Sequence, residues 1–314
     1  MKKFRPLMLI VPDNHQPTLF AVKQFADNVR RRSDNNLSVA SIPISKLVNQ
    51  PSLVSMVMEG KADMALPVHD RLQVCSPKFG CIGAPFALDG FAHADRVIDG
   101  EFMRWVAPDL SEAGVTCLGA WEWGFRQITN SRRPILRPED MRGLKIRVPT
   151  TPLCQTAILA LGAIPVMVEF EQLGRVIAQG LIDGQENPVS VIDSLGLQHK
   201  QKYLSMLNYT YGTLFHVINS NVFESLSPEH QVIIREESVK AGLFARHLVR
   251  SQEKEQVARF ISQGMEVDYP DPLPFKELMG PVLKRLNELC GKDNMLAYLA
   301  MAERQRRPIE QVRA

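Results

Sequence analysis

No apolar run in this 314-residue chain approaches the roughly 20 residues that a membrane-crossing helix needs. Leu7–Val11 is typical of its longest runs. An excess of one charge is also missing. The 37 Lys and Arg nearly balance 34 Asp and Glu, for a net +3, whereas a dedicated nucleic-acid binder carries a clear basic surplus. Cysteine is scarce, with five residues (Cys75, Cys81, Cys117, Cys154 and Cys290) and no CxxC pair, so neither a zinc ribbon nor a dithiol redox site is indicated. Scattered free thiols of this kind read as core residues, and a Cys75–Cys81 bridge has only its spacing in its favour. Catalytic signatures are absent: there is no GxSxG, HExxH, phosphate-binding Walker loop or GxGxxG. The seven histidines are dispersed, and His93 and His216 read as packing residues with local hydrogen bonds. No metal or cofactor is expected. What remains is 45% hydrophobic and 23% charged, the composition of an ordinary globular protein of about two domains.

The informative feature is an internal duplication. Leu7-Met8-Leu9-Ile10-Val11-Pro12 and Leu144-Lys145-Ile146-Arg147-Val148-Pro149 both read as short strands stopped by proline. Each is followed by a helix, over 18–31 in the first copy and 153–161 in the second. A second strand comes next, over 37–42 and 164–168. A second helix then ends at Gly60 or Gly180, and the endings match as Gly60-Lys61-Ala62-Asp63 and Gly180-Leu181-Ile182-Asp183. Third strands begin at Met64 and Gln185. Two βαβαβ units predict an α/β protein of two similar lobes with helices flanking each sheet. Ligands of such sheets bind beyond the carboxyl ends of the strands. The last third is more helical. Ser227-Pro228-Glu229 starts a helix with a serine cap, a proline at the first position and an acid in the first turn. The pattern then continues to about Ser262, long enough to lie across both lobes. Further helices are expected over 281–289 and 294–307.

Several residues fall at strand ends. Arg147 occupies a place where the first copy has Ile10, so the fold itself does not ask for a cation there. A guanidinium in that position suits a carboxylate or phosphate, although an ion pair with Glu139 or Asp140, or a solvated edge, would also account for it. Asn14 follows the first strand. His69 and Asp70 follow the third strand of the first copy, and Glu186 and Asn187 end that of the second; all are suited to hydroxyl recognition. Trp121-Glu122-Trp123-Gly124-Phe125-Arg126 joins the two units. Trp121 is a candidate for the wall of a crevice, with an interdomain core as the alternative, and Arg126 is a candidate second cation.

At these residues the chain resembles the solute-binding receptors of tripartite ATP-independent periplasmic (TRAP) transporters, the DctP family. The resemblance rests on Gly124-Phe125-Arg126-Gln127, on 137–147 (RPEDMRGLKIR), on Leu161-Gly162-Ala163 and on Asp183-Gly184-Gln185-Glu186-Asn187-Pro188. It extends from about residue 5 to about residue 289. It implies a type II periplasmic-binding-protein-like fold with the ligand cleft between lobes. We expect lobe I to comprise 1–123 with about 212–250, and lobe II 124–211 with about 251–314. It also implies that Arg147 pairs with a solute carboxylate, that Arg126 and Asn187 line the cleft, and that Phe170 packs on the ligand. The sequence departs from the family's usual pattern at His69-Asp70-Arg71, where small residues are common. The implied protein is a periplasmic, monomeric receptor without enzymatic activity. It would bind an organic acid, a sugar acid more readily than an aromatic or C4-dicarboxylic acid, and deliver it to TRAP membrane subunits. The alternative is an enzyme on the same scaffold, using His69 with Asp70, or Cys154 with His199. The basic start, Met1-Lys2-Lys3, is followed by too short an apolar run for an export signal, so the chain reads as cytoplasmic or as starting after a removed signal.

Overall fold

The computed structural model describes residues 6–12, 15–47, 52–150, 152–169 and 172–306. In chain order the first part runs β1 (Leu7–Val11), α1 (Gln16–Arg32), β2 (Val39–Pro43), α2 (Leu53–Met58), β3 (Met64–Ala65), α3 (Phe91–Val97), α4 (Met103–Glu112) and β4 (Val115–Phe125). The middle runs β5 (Gln127–Asn130), β6 (Lys145–Val148), α5 (Pro152–Ala160), β7 (Ile164–Met167), α6 (Leu173–Ala178), β8 (Gly184–Asn187), α7 (Val189–Ser194) and β9 (Tyr203–Ser205). The rest is β10 (Tyr211–Asn219), α8 (Ser220–Ser225), α9 (Pro228–Ser262), β11 (Glu266–Asp268), α10 (Leu273–Glu277), α11 (Gly280–Cys290) and α12 (Lys292–Gln305).

The strands form two sheets, ordered β2-β1-β3-β10-β4 and β11-β9-β5-β8-β6-β7. The duplication holds in three dimensions. β2-β1-β3 and β7-β6-β8 are both parallel triplets with the first strand of the copy in the middle. The shared Gly-x-x-Asp ending has the same task in each. Gly60 and Gly180 take positive φ, +68° and +65°, where a glycine ends a helix without Cβ strain. The Asp63 carboxylate then accepts from the Met8 amide at 2.7 Å, and Asp183 accepts from the Lys145 amide at 2.9 Å. Each aspartate thereby satisfies an amide near the start of the central strand.

Neither sheet is purely parallel. β10 lies antiparallel between β3 and β4, and β5 lies antiparallel between β8 and β9. The chain passes from the first sheet to the second within one residue, Arg126, between β4 and β5. It returns at Thr210, between β9 and β10. The two crossings are tied together by the Arg126 amide donating to the Thr210 carbonyl at 2.9 Å.

α9 spans 35 residues, about 50 Å at 1.5 Å per residue. Its start is capped by Ser227 Oγ accepting from the His230 amide at 3.2 Å. Its first half buries Ile233, Ile234, Ala241 and Ala245 against β4 and α1. Its last turns bury Val257 and Phe260 in a separate core with Leu173, Ile192 and Leu204 of the second sheet's side. α12 packs on α3 and the turn Pro77–Gly83, whereas α11 touches both that turn and α5. None of the five cysteines is in a disulfide. Cys81 and Cys290 are buried, but Cys75, Cys117 and Cys154 are only partly so, which corrects the expectation of five core thiols. Among the described residues no helix is long and apolar enough to cross a membrane.

Candidate functional site

A cavity of ≈ 180 Å³ opens where the two sheets meet. One wall is His69, Asp70, Arg71 and Gln73, with Gly80, Gly83 and Pro85. The facing wall is Pro149, Leu153, Cys154 and Ala157, from the loop after β6 and from α5. The floor is the crossing itself, Arg126 with Tyr209, Thr210, Tyr211 and Gly212. The walls approach closely: a Cβ built at Gly83 would lie 2.5 Å from Leu153 Cδ2.

Arg126 is held by Glu186, which is fully buried. The guanidinium grips it in a fork, with Nε on Oε2 and Nη2 on Oε1 at 2.7 Å. Nη2 also reaches the Glu186 carbonyl at 2.9 Å and Asn187 Oδ1 at 3.3 Å. Tyr209 donates its hydroxyl to Glu186 Oε2 at 2.6 Å. Burial works against the Arg126 charge, but the Glu186 carboxylate outweighs it and holds the guanidinium pKa above its ordinary value. Burial, reinforced by Glu186, pushes the Tyr209 phenol well up. Asn187 is oriented by donating Nδ2 to Gln185 Oε1 at 2.5 Å.

Arg147 is 2% exposed and lies in the middle strand of the parallel triplet β7-β6-β8, in register with Gln185 and Val166. Its Nε donates to the Val168 carbonyl at 2.8 Å. Burial lowers its pKa to about 10; Glu186 acts to raise it and Arg126 to lower it further, so all three groups share one field. The repeat-related position, Ile10, occupies the equivalent register against Ala65 and is also fully buried. Asp140 accepts from the Leu136 and Arg137 amides, a task local to its own turn.

The structure thus brings Arg126, His69 and Asp70 to the cavity wall and sets Glu186, Asn187 and Arg147 about the crossing. Asn14 and Phe170 lie outside the described residues. Trp121 is elsewhere, which corrects the expectation that it borders the crevice. Its side chain is fully buried between β4 and α9, with Nε1 donating to the Ser238 carbonyl at 3.1 Å. His199 is an exposed residue of the turn Leu197–His199 and does not line the cavity with Cys154. His93 and His216 have structural partners, the Ala302 carbonyl and Ser238 Oγ, each at 2.8 Å. The described residues hold no His, Cys, Asp and Glu cluster suited to a metal ion. Sequence reasoning missed Tyr209, Tyr211 and Leu153. Tyr209-Thr210-Tyr211-Gly212 carries a signal, two of only five tyrosines beside a glycine, but it gains meaning only once the return crossing is known. His15, next to Asn14 after the first strand, has a ring that spans from α1 to α7, 2.7 Å from Thr18 Oγ1 and 2.9 Å from Ser190 Oγ.

The model of bacterial extracellular solute-binding protein family 7, DctP, matches residues 10–289. The 2,3-diketo-L-gulonate-binding periplasmic protein YiaO of Escherichia coli is 32% identical over 247 residues, 79% of this chain and 75% of that protein. The sialic acid-binding periplasmic protein SiaP of Vibrio cholerae is 27% identical over 282 residues, covering 90% and 88%. Among solved structures, a TRAP periplasmic solute-binding protein of Ralstonia eutropha with bound (S)-2-acetolactate superposes with a TM-score of 0.88 at 25% identity, covering 95% of this chain and 99% of that one. The sugar acid binding protein DctPAm of Advenella mimigardefordensis, in complex with galactonate, also gives 0.88 at 25% identity, covering 97% and 99%. With a family match along most of its length, two lobes of the same build and relatives that are transport receptors rather than enzymes, the chain belongs to the DctP family of TRAP solute-binding proteins, receptors for organic acids.

Proposed function

We propose that this receptor acts in the periplasm, captures a small organic acid in the cavity at the crossing, and passes it to TRAP membrane subunits. Arg147 anchors the solute carboxylate. The observation that carries this assignment is the pair of repeat-related positions. Ile10 fills its place in the first sheet with apolar volume, and Arg147 fills the same place in the second with a buried charge. A buried guanidinium is costly to desolvate and is not required by the sheet. A planar fork matches a carboxylate, and Arg147 shares the field of Glu186 and of Arg126 at the cavity floor. Arg126, held by Glu186, Asn187 and Tyr209, contributes positive potential and a rigid wall. His69 and Asp70, from the facing wall, meet the variable end of the solute. Phe170 is assigned to the same site by resemblance to the family, and Asn14 by its place after the first strand.

We assign residues 1–123 with about 212–250 to one lobe and 124–211 with about 251–314 to the other, with α11 and α12 reaching back onto the first. The receptor works as a monomer. A sugar acid or a related hydroxy or keto acid is the favoured solute, in keeping with the diketogulonate, galactonate and glucuronate bound by relatives and structural neighbours. Calorimetric titration with a panel of sugar, keto and C4-dicarboxylic acids tests the reading. At least one acid is expected to bind and to be recovered unchanged by mass spectrometry; conversion to a product would mean an enzyme. Arg147→Lys keeps the charge but loses the fork, and is expected to cost about 2–5 kcal/mol of affinity. Binding within threefold of wild type in that variant would remove Arg147 from the anchoring role.

A further inference from the structure

The cavity has a second polar end, far less committed than the first. His69 opens the turn His69–Val74, just after the bridge from Val68 to Leu214 that ties this stretch to β10. It lines the cavity, is 8% exposed, and its Nδ1 is buried without a hydrogen-bond partner. A buried polar nitrogen left unpaired is costly, and the ring's other nitrogen, Nε2, lies 3.8 Å from a Cβ built at the cavity-lining Gly83, so the ring edge is open to a bound group. Among the described residues the titratable or charged groups sharing this cavity are Asp70 and Arg71 of its own turn, Arg126 at the crossing, Cys154 of α5, and Tyr209 and Tyr211 of the return segment. Burial dominates and lowers the imidazole pKa to about 4; Asp70 and the Thr213 carbonyl favour the proton and Arg126 opposes it. At neutral pH the ring is therefore uncharged, with one donor and one acceptor nitrogen.

Building on the reading of this cavity as the solute site, we propose that His69 selects the class of acid: its uncharged ring hydrogen-bonds a hydroxyl at the end of the solute away from the anchored carboxylate, and disfavours a second carboxylate there. A hydroxyl both donates and accepts, so it satisfies a neutral imidazole in either tautomer. A carboxylate only accepts. Whether it faced the ring's lone pair or took its N–H, it would stand beside the Asp70 carboxylate, a repulsion that proton uptake by the ring would relieve. The class admitted is thus the hydroxy monocarboxylates, and the class rejected is the simple dicarboxylates.

Titration calorimetry of the full chain decides this, with galactonate, glucuronate, erythronate and acetolactate as the first class and succinate as the second. Running each at pH 7.5 in two buffers of different ionisation enthalpy counts the protons exchanged. The tightest member of the first class is expected to bind at least tenfold more tightly than succinate, with no proton uptake. Any succinate binding is expected to take up a proton and to strengthen toward pH 5. His69→Leu is expected to cost the hydroxy acid tenfold or more while leaving succinate within threefold. His69→Gln keeps a neutral donor and acceptor and is expected to keep the ranking, and melting temperatures report whether each variant folds. Succinate binding as tightly as the first class without proton uptake overturns the selection, even if His69→Leu does not fold. An unchanged ranking in a folded His69→Leu does the same. If none of the five acids binds the wild-type chain, the reading of the cavity itself fails and the selection falls with it.

Discussion

Glu186 has no solvent contact, yet it takes both forks of Arg126 and the hydroxyl of Tyr209. Removing its charge would leave the guanidinium buried and unmatched. Breaking one side of a buried pair typically costs 3–5 kcal/mol, more than the pair contributes net. Glu186→Gln is therefore expected to destabilise the fold by about that amount, measured by urea denaturation, and to weaken solute binding as the floor loosens. A loss below about 1 kcal/mol would show that the pair is effectively solvated. The buried histidines give a second expectation at this scale. Burial lowers the pKa of His15 and His216 to about 3 and that of His69 to about 4. Below the unfolded value of about 6.5 the unfolded chain binds protons that the folded chain refuses, so stability falls as pH drops through that window and is level above it. Each histidine contributes about 1 kcal/mol of loss between pH 7.5 and 5.5, offset in part by Glu253, whose carboxyl burial raises to about 7 and whose protonation in that window favours the fold. Urea midpoints across that range check it, and a flat profile would mean that the rings protonate in place. Arg147 stood out in the sequence because its repeat partner is Ile10. The role of Glu186 did not, because two residues 60 positions apart give no local sign that they pair.

At the scale of elements, α9 decides how the sheets are joined. Arg250 grips Asp95 with both terminal nitrogens at 2.7 Å and Glu122 at 2.6 Å and 2.9 Å, and Arg246 reaches Asp99 at 2.8 Å. These bonds tie the helix to α3 and β4. Gly242 lets the helix lie close on β4. A Cβ there would come within 2.8 Å of Trp121 Cδ1 and 2.9 Å of the Ala120 carbonyl. Helix propensity alone favours Gly242→Ala by up to about 1 kcal/mol. Overpacking against a backbone carbonyl and a locked indole costs about 1–3 kcal/mol, so the clash is expected to win. A lower melting temperature checks the sign, and a higher one would show that α9 can shift outward freely. The sequence marked this helix by its serine cap and the lack of a breaker, and marked Gly242 as its one interior glycine. It placed Trp121 wrongly, because apolar volume on a strand is equally at home on either face. The side it faces depends on which helix covers it.

For the whole molecule, both cavity walls hang on the two crossings at Arg126 and Thr210, with α9 as a third connection between the sheets. Closure about these connections is expected to draw the lobes together on solute binding, a hinge motion with most of each sheet rigid. Small-angle scattering checks this: the radius of gyration is expected to fall at saturating acid. An unchanged profile would indicate a cavity already formed before binding.

Strands, their proline stops and their glycine-ended helices were legible along the chain because each depends on neighbours a few residues away. Apolar alternation buries a strand, Gly60 and Gly180 admit positive φ, and Ser227 caps its own helix. The duplication followed from these local patterns, and with it the odd placement of Arg147. The antiparallel insertion of β10 and β5 was not legible, nor were the two crossings, the Glu186 fork or the reach of α12 onto the first sheet's side. Each is a choice among partners far apart in sequence, made by which edges and faces remain uncovered once the local elements exist. The cavity belongs to that second group. Its walls come from residues 68–85, 126, 149–157 and 209–212, and they form one chemical surface only because two sheets built from different stretches of chain meet at the same crossing.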